Sequence, residues 1–243
     1  MNEYRERRQK IINKMEDNSI LILFSGMAKK SSADASYPFI GNRNFYYLTG
    51  IEQENSVLMI IKSHGDEITY LFIEDKDETK EKWLGLRMSF DEAKLISNIS
   101  NVLLVTSFEA KLNTILSDNG NEYGDISNIY LDLESELKIA EQKSTVQLKD
   151  EFIKKYPDSN VIDIYPEIIK LRNIKSQKEV ANIVEAIKIT ESGIQKMMSI
   201  SKPGLYEYNL KNAFEYEIKE ARSSLAFPTI VASGKNGYIL HYP

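Results

Sequence analysis

Two histidines, His64 and His241, and no cysteine make up the imidazole and thiol inventory of this 243-residue chain. Without a thiol there is no disulfide frame, no cysteine-zinc site and no thiolate nucleophile. A His-Glu-x-x-His metal helix is absent, and a Ser-His-Asp triad would have to use one of these two imidazoles. His64 falls in Ser63-His64-Gly65-Asp66, a turn sequence in which a solvated side chain is the default. His241 follows Ile239-Leu240 and precedes Tyr242, a run that reads as an apolar strand with a half-buried imidazole. Spacing alone favours a structural role there, because no second histidine or carboxylate cluster accompanies it. The acids are interleaved with lysine, as in Glu74-Asp75-Lys76-Asp77-Glu78, which is the pattern of a solvated face. A cation needs several convergent oxygens or imidazoles, and no spacing here provides them. Ser233-Gly-Lys-Asn236 is not a phosphate loop, since Thr229 stands where the first glycine belongs and Asn236 where Ser or Thr does. It reads as a hairpin turn. Trp83, the single tryptophan, reads as a core residue on its own spacing.

The elements that would position these residues follow from periodicity. Residues Glu3–Asp17 form a charged segment with Ile11, Ile12 and Met15 on one face, which predicts a surface helix ending in a turn. Four β-rich runs follow, Ile20–Phe24, Phe45–Leu48, Val57–Lys62 and Glu67–Ile73, the last two joined by the His64 turn. The three consecutive aromatics of Asn44–Gly50 imply a strand covered on both faces. Beyond Ile73, helical stretches (Glu78–Trp83, Asp91–Ser97, Phe108–Leu116, Leu148–Tyr156) alternate with strand-like Val102–Thr106, Ile129–Leu133 and Val161–Ile164. This alternation predicts an α/β domain.

At Ser176-Gln-Lys-Glu179 a capping box opens a long helix with Val180, Ile183, Val184, Ile187, Ile194, Met197 and Met198 on one face. Ser201-Lys-Pro-Gly204 ends it. A second helix carries Leu210, Ala213, Phe214, Ile218 and Ala221, and Ala226–Ala232 with Tyr238–Tyr242 reads as a hairpin. Two helices and a hairpin form a thin core, so this C-terminal piece is expected to be incomplete by itself.

Charge and hydropathy exclude several classes. With 31 basic against 36 acidic residues there is no cationic excess for a polyanion, so nucleic acid is not an expected ligand. The longest apolar runs, Ile20–Phe24 and Val57–Ile61, are far shorter than the ~20 residues that span a bilayer. No membrane partner is expected, and the charged N-terminus is unlike a signal peptide. A cytoplasmic location is expected.

Several segments together resemble one family, the aminopeptidase P and prolidase group of peptidase family M24, which cleaves N-terminal Xaa-Pro bonds. They are Arg5–Arg8 entering Ser19–Phe24; Ser32–Phe39; Asn44–Gly50; Trp83–Arg87; Leu171–Ser176 with Glu179; Lys202–Gly204 with Tyr206-Glu-Tyr208; and Phe227–Gly237 running to Leu240-His-Tyr242. They occur in the family's order. The resemblance implies an α/β N-terminal domain of the creatinase/prolidase type with a mixed sheet flanked by helices over residues 1–172. It implies the start of an α+β pita-bread catalytic domain, with its first helices and hairpin, over 173–243.

In that family two divalent ions, usually manganese, are held by two Asp, one His and two Glu. His241 corresponds to a substrate-contacting histidine that is not a ligand. Phe227 takes a position where some relatives line the substrate pocket with Tyr. Trp83 matches a tryptophan lent to a neighbouring subunit's active site. The five ligands all lie beyond the position of His241, so no metal ligand is expected within this chain. The chain is expected to be the N-terminal portion of a metallo-aminopeptidase or dipeptidase, inactive alone and homo-oligomeric, whose longer parent acts on proline-containing peptides. Two other readings follow from the same resemblance: a non-catalytic interaction module of this fold, as in a histone chaperone subunit, and a metal-free relative such as creatinase.

Overall fold

The computed structural model describes residues 2–117, 123–134, 138–139 and 143–242. The chain divides into two units, Met1–Asn173 and Ile174–Pro243. In the first, α1 (Glu3–Ile12) leads to β1 (Ser19–Phe24), α2 (Arg43–Thr49) and the hairpin β2 (Val57–Ser63) and β3 (Asp66–Ile73). Then follow α3 (Glu78–Leu84), α4 (Phe90–Ser97), β4 (Asn101–Leu104), α5 (Phe108–Ser117), β5 (Asn128–Leu131), the short pair β6 (Lys138–Ile139) and β7 (Lys143–Ser144), α6 (Thr145–Lys155), β8 (Asn160–Asp163) and α7 (Tyr165–Asn173).

Among the described residues six strands form one mixed sheet in the order β4-β3-β2-β1-β5-β8. The β1-β2-β3 meander is antiparallel, while β4, β5 and β8 join their neighbours in parallel. Side chains alternate across the pleat, so each strand feeds two cores. Leu21, Leu23, Leu58, Ile60 and Leu71 face a layer built from α1, α2, α4 and α7. Ile20, Ile22, Met59, Ile61 and Phe72 face the opposite layer, with Phe108 and Leu112 of α5 and Phe152 of α6. A sheet covered on both sides explains why β1 and β2 read as continuous apolar runs. The β2–β3 turn puts His64 at φ 53° and Gly65 at φ 83°, with Ser63 opposite Asp66. Two consecutive positive φ values are the geometry a tight right-twisted hairpin requires.

The expected strand Phe45–Leu48 is a helix. Asn42 caps α2 by accepting from the Asn44 and Phe45 amides at 2.7 and 3.1 Å, and Gly50, at φ 72°, ends it. These end signals outweigh the β propensity of the aromatic run, and the helix still buries Phe45 and Leu48 on one face. The Tyr4 ring then lies where a Cβ on residue 50 would fall, 2.5 Å away, so two independent reasons demand glycine.

The charged first helix also departs from a simple surface helix, because Arg7 and Arg8 are buried. Arg8 donates to Leu48 O at 2.7 Å, Ser97 O at 2.8 Å and Asn98 O at 3.3 Å, the carbonyl ends of α2 and α4. Carbonyl dipoles thus take the place of a carboxylate partner. Burial, with Arg5 nearby, lowers the guanidinium to about 10. Arg7 lies over the Tyr47 ring at 4.1 Å and donates to Glu3.

The second unit consists of α8 (Gln177–Ile200), α9 (Glu207–Glu220) and an extended tail with a 3₁₀ turn at Gly234–Tyr238. Both halves of the Ser176–Glu179 capping box are formed. The helices meet where Gly193 lets the Phe214 ring approach its backbone. Val180, Ile183, Val184, Ile187 and Ile194 of α8 are exposed. The expected hairpin at 226–242 is not formed among the described residues. Its β-rich composition has no strand to pair with, and β propensity expresses itself only against a partner surface.

Candidate functional site

His241 lies in the tail after the 3₁₀ turn, exposed and not on a strand, which corrects the half-buried strand position expected for it. The tail is organised from the first residue of α9. Gly204, at φ 90°, turns the chain after Pro203, and Asn209 Oδ1 accepts from the Tyr206 amide to begin the helix. Glu207 follows, and its carboxylate accepts from the Ser233 amide at 2.5 Å, from Ser233 Oγ at 3.0 Å and from Asn236 Nδ2 at 3.1 and 3.2 Å. Asn236 Nδ2 also donates to the Tyr242 phenol oxygen at 3.0 Å. Donation from Asn236 and then from Ser233 holds the Glu207 carboxyl below the usual carboxylate range. The same carboxylate raises the Tyr242 phenol. Sequence reading took Ser233–Gly237 as a plain turn. The signal it missed is the pairing of an acidic helix start with an amide-bearing glycine turn.

Phe227 is 71% exposed and lines a groove of about 730 Å³ within the second unit. Ile194, Met197, Phe214, Ile218 and Ile230 also line it, whereas His241 does not. The Thr229 hydroxyl is buried at this groove without a hydrogen-bond partner. The walls are largely apolar, with Arg222 and the hydroxyls of Thr190, Ser223, Ser224 and Thr229 among them, and among the described residues they carry no carboxylate or imidazole, so the groove can bind but brings neither of those groups for proton transfer.

Trp83 belongs to the first unit and is 86% exposed at the end of α3, which corrects its reading as core. The segment behind it is braced. Arg87 reaches Glu54 at 2.9 Å and Glu74 at 3.4 Å, and the Met88 amide donates to Gln53 Oε1 at 2.9 Å. Burial pushes Glu54 up, but the Ala28 amide and Arg87 outweigh it and hold the carboxyl low. An exposed indole on a fixed frame is presented outward.

Asp132, buried at the end of β5, could be mistaken for a catalytic acid. Its Oδ2 accepts from Asn42 Nδ2 at 3.0 Å and Asn44 Nδ2 at 2.9 Å, and Arg172 donates to Asn44. That network ties α2 and α7 to the C-terminal end of β5, inside the sheet. His64 is an exposed turn residue. Among the described residues no three His, Asp or Glu side chains come together as a metal site, so these residues do not fit a two-metal centre. No helix among them is long and apolar enough to cross a membrane.

Residues 4–123 match the family model "Aminopeptidase P, N-terminal domain", and residues 181–243 match "Metallopeptidase family M24". The chain is 30% identical to the Xaa-Pro aminopeptidase of Haemophilus influenzae and 29% identical to that of Escherichia coli, with 99% of this chain aligned in each case. It spans about half of their length, 53% and 54%. An aminopeptidase P structure from Bacillus anthracis superposes with a TM-score of 0.89 at 36% identity, over 100% of this chain and 57% of that one. Proline aminopeptidase P II from Yersinia pestis superposes at 0.83 with 28% identity, over 99% and 55%. With its two matched segments in the order of these relatives and nearly all of its length aligned to them, the chain belongs to the aminopeptidase P family of M24 metallopeptidases.

Proposed function

We propose that this chain is the N-terminal portion of a metal-dependent aminopeptidase that releases the first residue of Xaa-Pro peptides, and that it carries none of the metal ligands itself. Residues 1–172 serve as the creatinase/prolidase-type domain and 173–243 as the first helices of the pita-bread catalytic domain. The observation that carries the reading is the M24 match over 181–243, which ends on a tethered His241 segment. In this reading His241 contacts substrate, Phe227 lines the pocket, and Trp83 reaches a neighbouring copy. The parent holds two divalent ions, manganese by family habit, and works in the cytoplasm. A bound pair would polarise the scissile carbonyl and activate water. The test is incubation of the chain with manganese and a Xaa-Pro peptide, with calorimetry for the metal. Neither turnover above a metal-free blank nor stoichiometric binding is expected, and either one overturns the assignment of the ligands to sequence outside this chain.

The alternative, a non-catalytic interaction or oligomerisation module, draws on the exposed apolar residues of α8. Both readings predict self-association through residues 176–243, because contiguous apolar surface is unstable in water. Light scattering should give a mass above the 27.9 kDa of one chain. A monomer that binds no hydrophobic dye contradicts it.

A further inference from the structure

We propose that Glu207 is a positioning residue that fixes the segment carrying His241 by clamping both of its ends to the start of α9. This rests on the reading of His241 as a substrate contact only for its purpose, since the clamp itself is geometric. Glu207 stands on the first turn of a helix whose Phe214 is seated against Gly193 of α8, so its carboxylate projects from a firm base. It takes Ser233 at one end of the segment, and through Asn236 it holds Tyr242, the neighbour of His241, at the other. Between them the backbone closes on itself, with the Asn236 amide donating to Ser233 O and the Ile239 amide to Asn236 O, each at 3.0 Å. The donor count balances: one Asn236 Nδ2 hydrogen serves the carboxylate and the other the phenol. Among the described residues 226–242 belong to no β-ladder, so these side-chain bonds stand where strand pairing would otherwise hold the chain.

The experiment uses the full chain, labelled with ¹⁵N and followed by NMR. In Glu207→Ala the amides of Gly234, Gly237 and His241 should lose order, with order parameters falling from about 0.85 to below about 0.6. The His241 ring resonances should move to those of an unstructured histidine while Gly193–Phe214 contacts persist. Glu207→Gln should fall between the two, because its one carbonyl oxygen still accepts from Ser233. Unchanged order and unchanged His241 resonances in Glu207→Ala overturn the proposal. If α9 itself unravels, Asn236→Ala removes the other half of the clamp with the helix intact, and an ordered segment there overturns it equally. A merely structural contact would not give the accompanying acid signature. The Glu207 pKa is depressed, so the tether holds above the ordinary carboxylate range and is lost as pH falls through the lower folded value. Tyr242 is the titratable group facing it, and it titrates only in alkali. Glu207→Gln should show no acid step, and an identical step in that variant counts against the clamp. Peptide turnover enters none of these readouts, so failure of the peptidase reading and failure of the clamp are told apart.

Discussion

Replacing Arg8 with methionine should destabilise the first unit by about 2–4 kcal/mol, the range for a buried charged donor whose acceptors are left unpaired. The guanidinium is the shared cap of two helices: Nη1 serves Leu48 O at the end of α2, and Nη2 serves Ser97 O and Asn98 O at the end of α4. Methionine fills the aliphatic volume and removes the cost of burying a charge, but it leaves these carbonyls facing an apolar thioether. The loss of three charge-assisted bonds outweighs the desolvation gain, because the buried Leu48 and Ser97 carbonyls cannot reach water while α1 stays packed on α2 and α4. For a unit of this size the change corresponds to a fall of roughly 6–12 °C in melting temperature. Urea denaturation followed by circular dichroism should show a lower midpoint at unchanged slope. Arg8→Lys should recover part of the loss, since a point ammonium reaches one helix end but lacks the fork that bridges both. Arg5→Met, on the exposed side of the same helix, should stay within about 0.5 kcal/mol of the parent. Equal stability of the Arg8 and Arg5 variants would remove Arg8 from the account of what holds α1, α2 and α4 together.

This arginine also marks a limit on reading the fold from sequence. The two-sided sheet was legible, because Ile20–Phe24 and Val57–Ile61 are continuous apolar runs and the helices between strands carry their own periodicity. The burial of Arg8 has no signature in the sequence, since its acceptors lie 40, 89 and 90 residues away and are backbone atoms. Phe45–Leu48 was misread because aromatic propensity is local, while the decision was made by caps at Asn42 and Gly50. At the candidate site, the functional roles of Phe227, Trp83 and His241 come only through family resemblance. Spacing alone favoured a structural role for His241 and a core position for Trp83. The Glu207 clamp stayed invisible because its partners, 26 and 29 residues downstream, are a serine and an asparagine within an ordinary turn sequence. Residues 226–242 read as a hairpin because alternating apolar residues state what a strand would bury, not whether a partner strand is at hand.

The second large effect is expected at Gly193, where two opposing terms fix the order of a substitution series. Gly193 is the buried residue of α8, and a Cβ there would lie 2.6 and 2.8 Å from Cδ2 and Cε2 of Phe214. Gly193→Ala gains up to ~1 kcal/mol of helix propensity in a long helix. The clash costs a similar amount, because the phenyl ring can swing toward the open groove it lines, so a net change within about 1 kcal/mol is expected. Gly193→Leu gains the same propensity but brings four side-chain carbons into a space already filled by the ring, and the helices must separate. A loss of about 2–3 kcal/mol is expected, at the upper end of overpacking costs. In a unit whose buried apolar residues are few, that is enough to melt it separately from the first. Amide exchange over 177–220 should accelerate in Gly193→Leu and not in Gly193→Ala, with the sheet amides of β1 and β2 unaffected. Because α9 carries Glu207, the leucine variant should also release the His241 segment. If Gly193→Leu leaves α8 and α9 protected, Phe214 has another place to go, and the base on which the clamp stands is softer than its geometry implies.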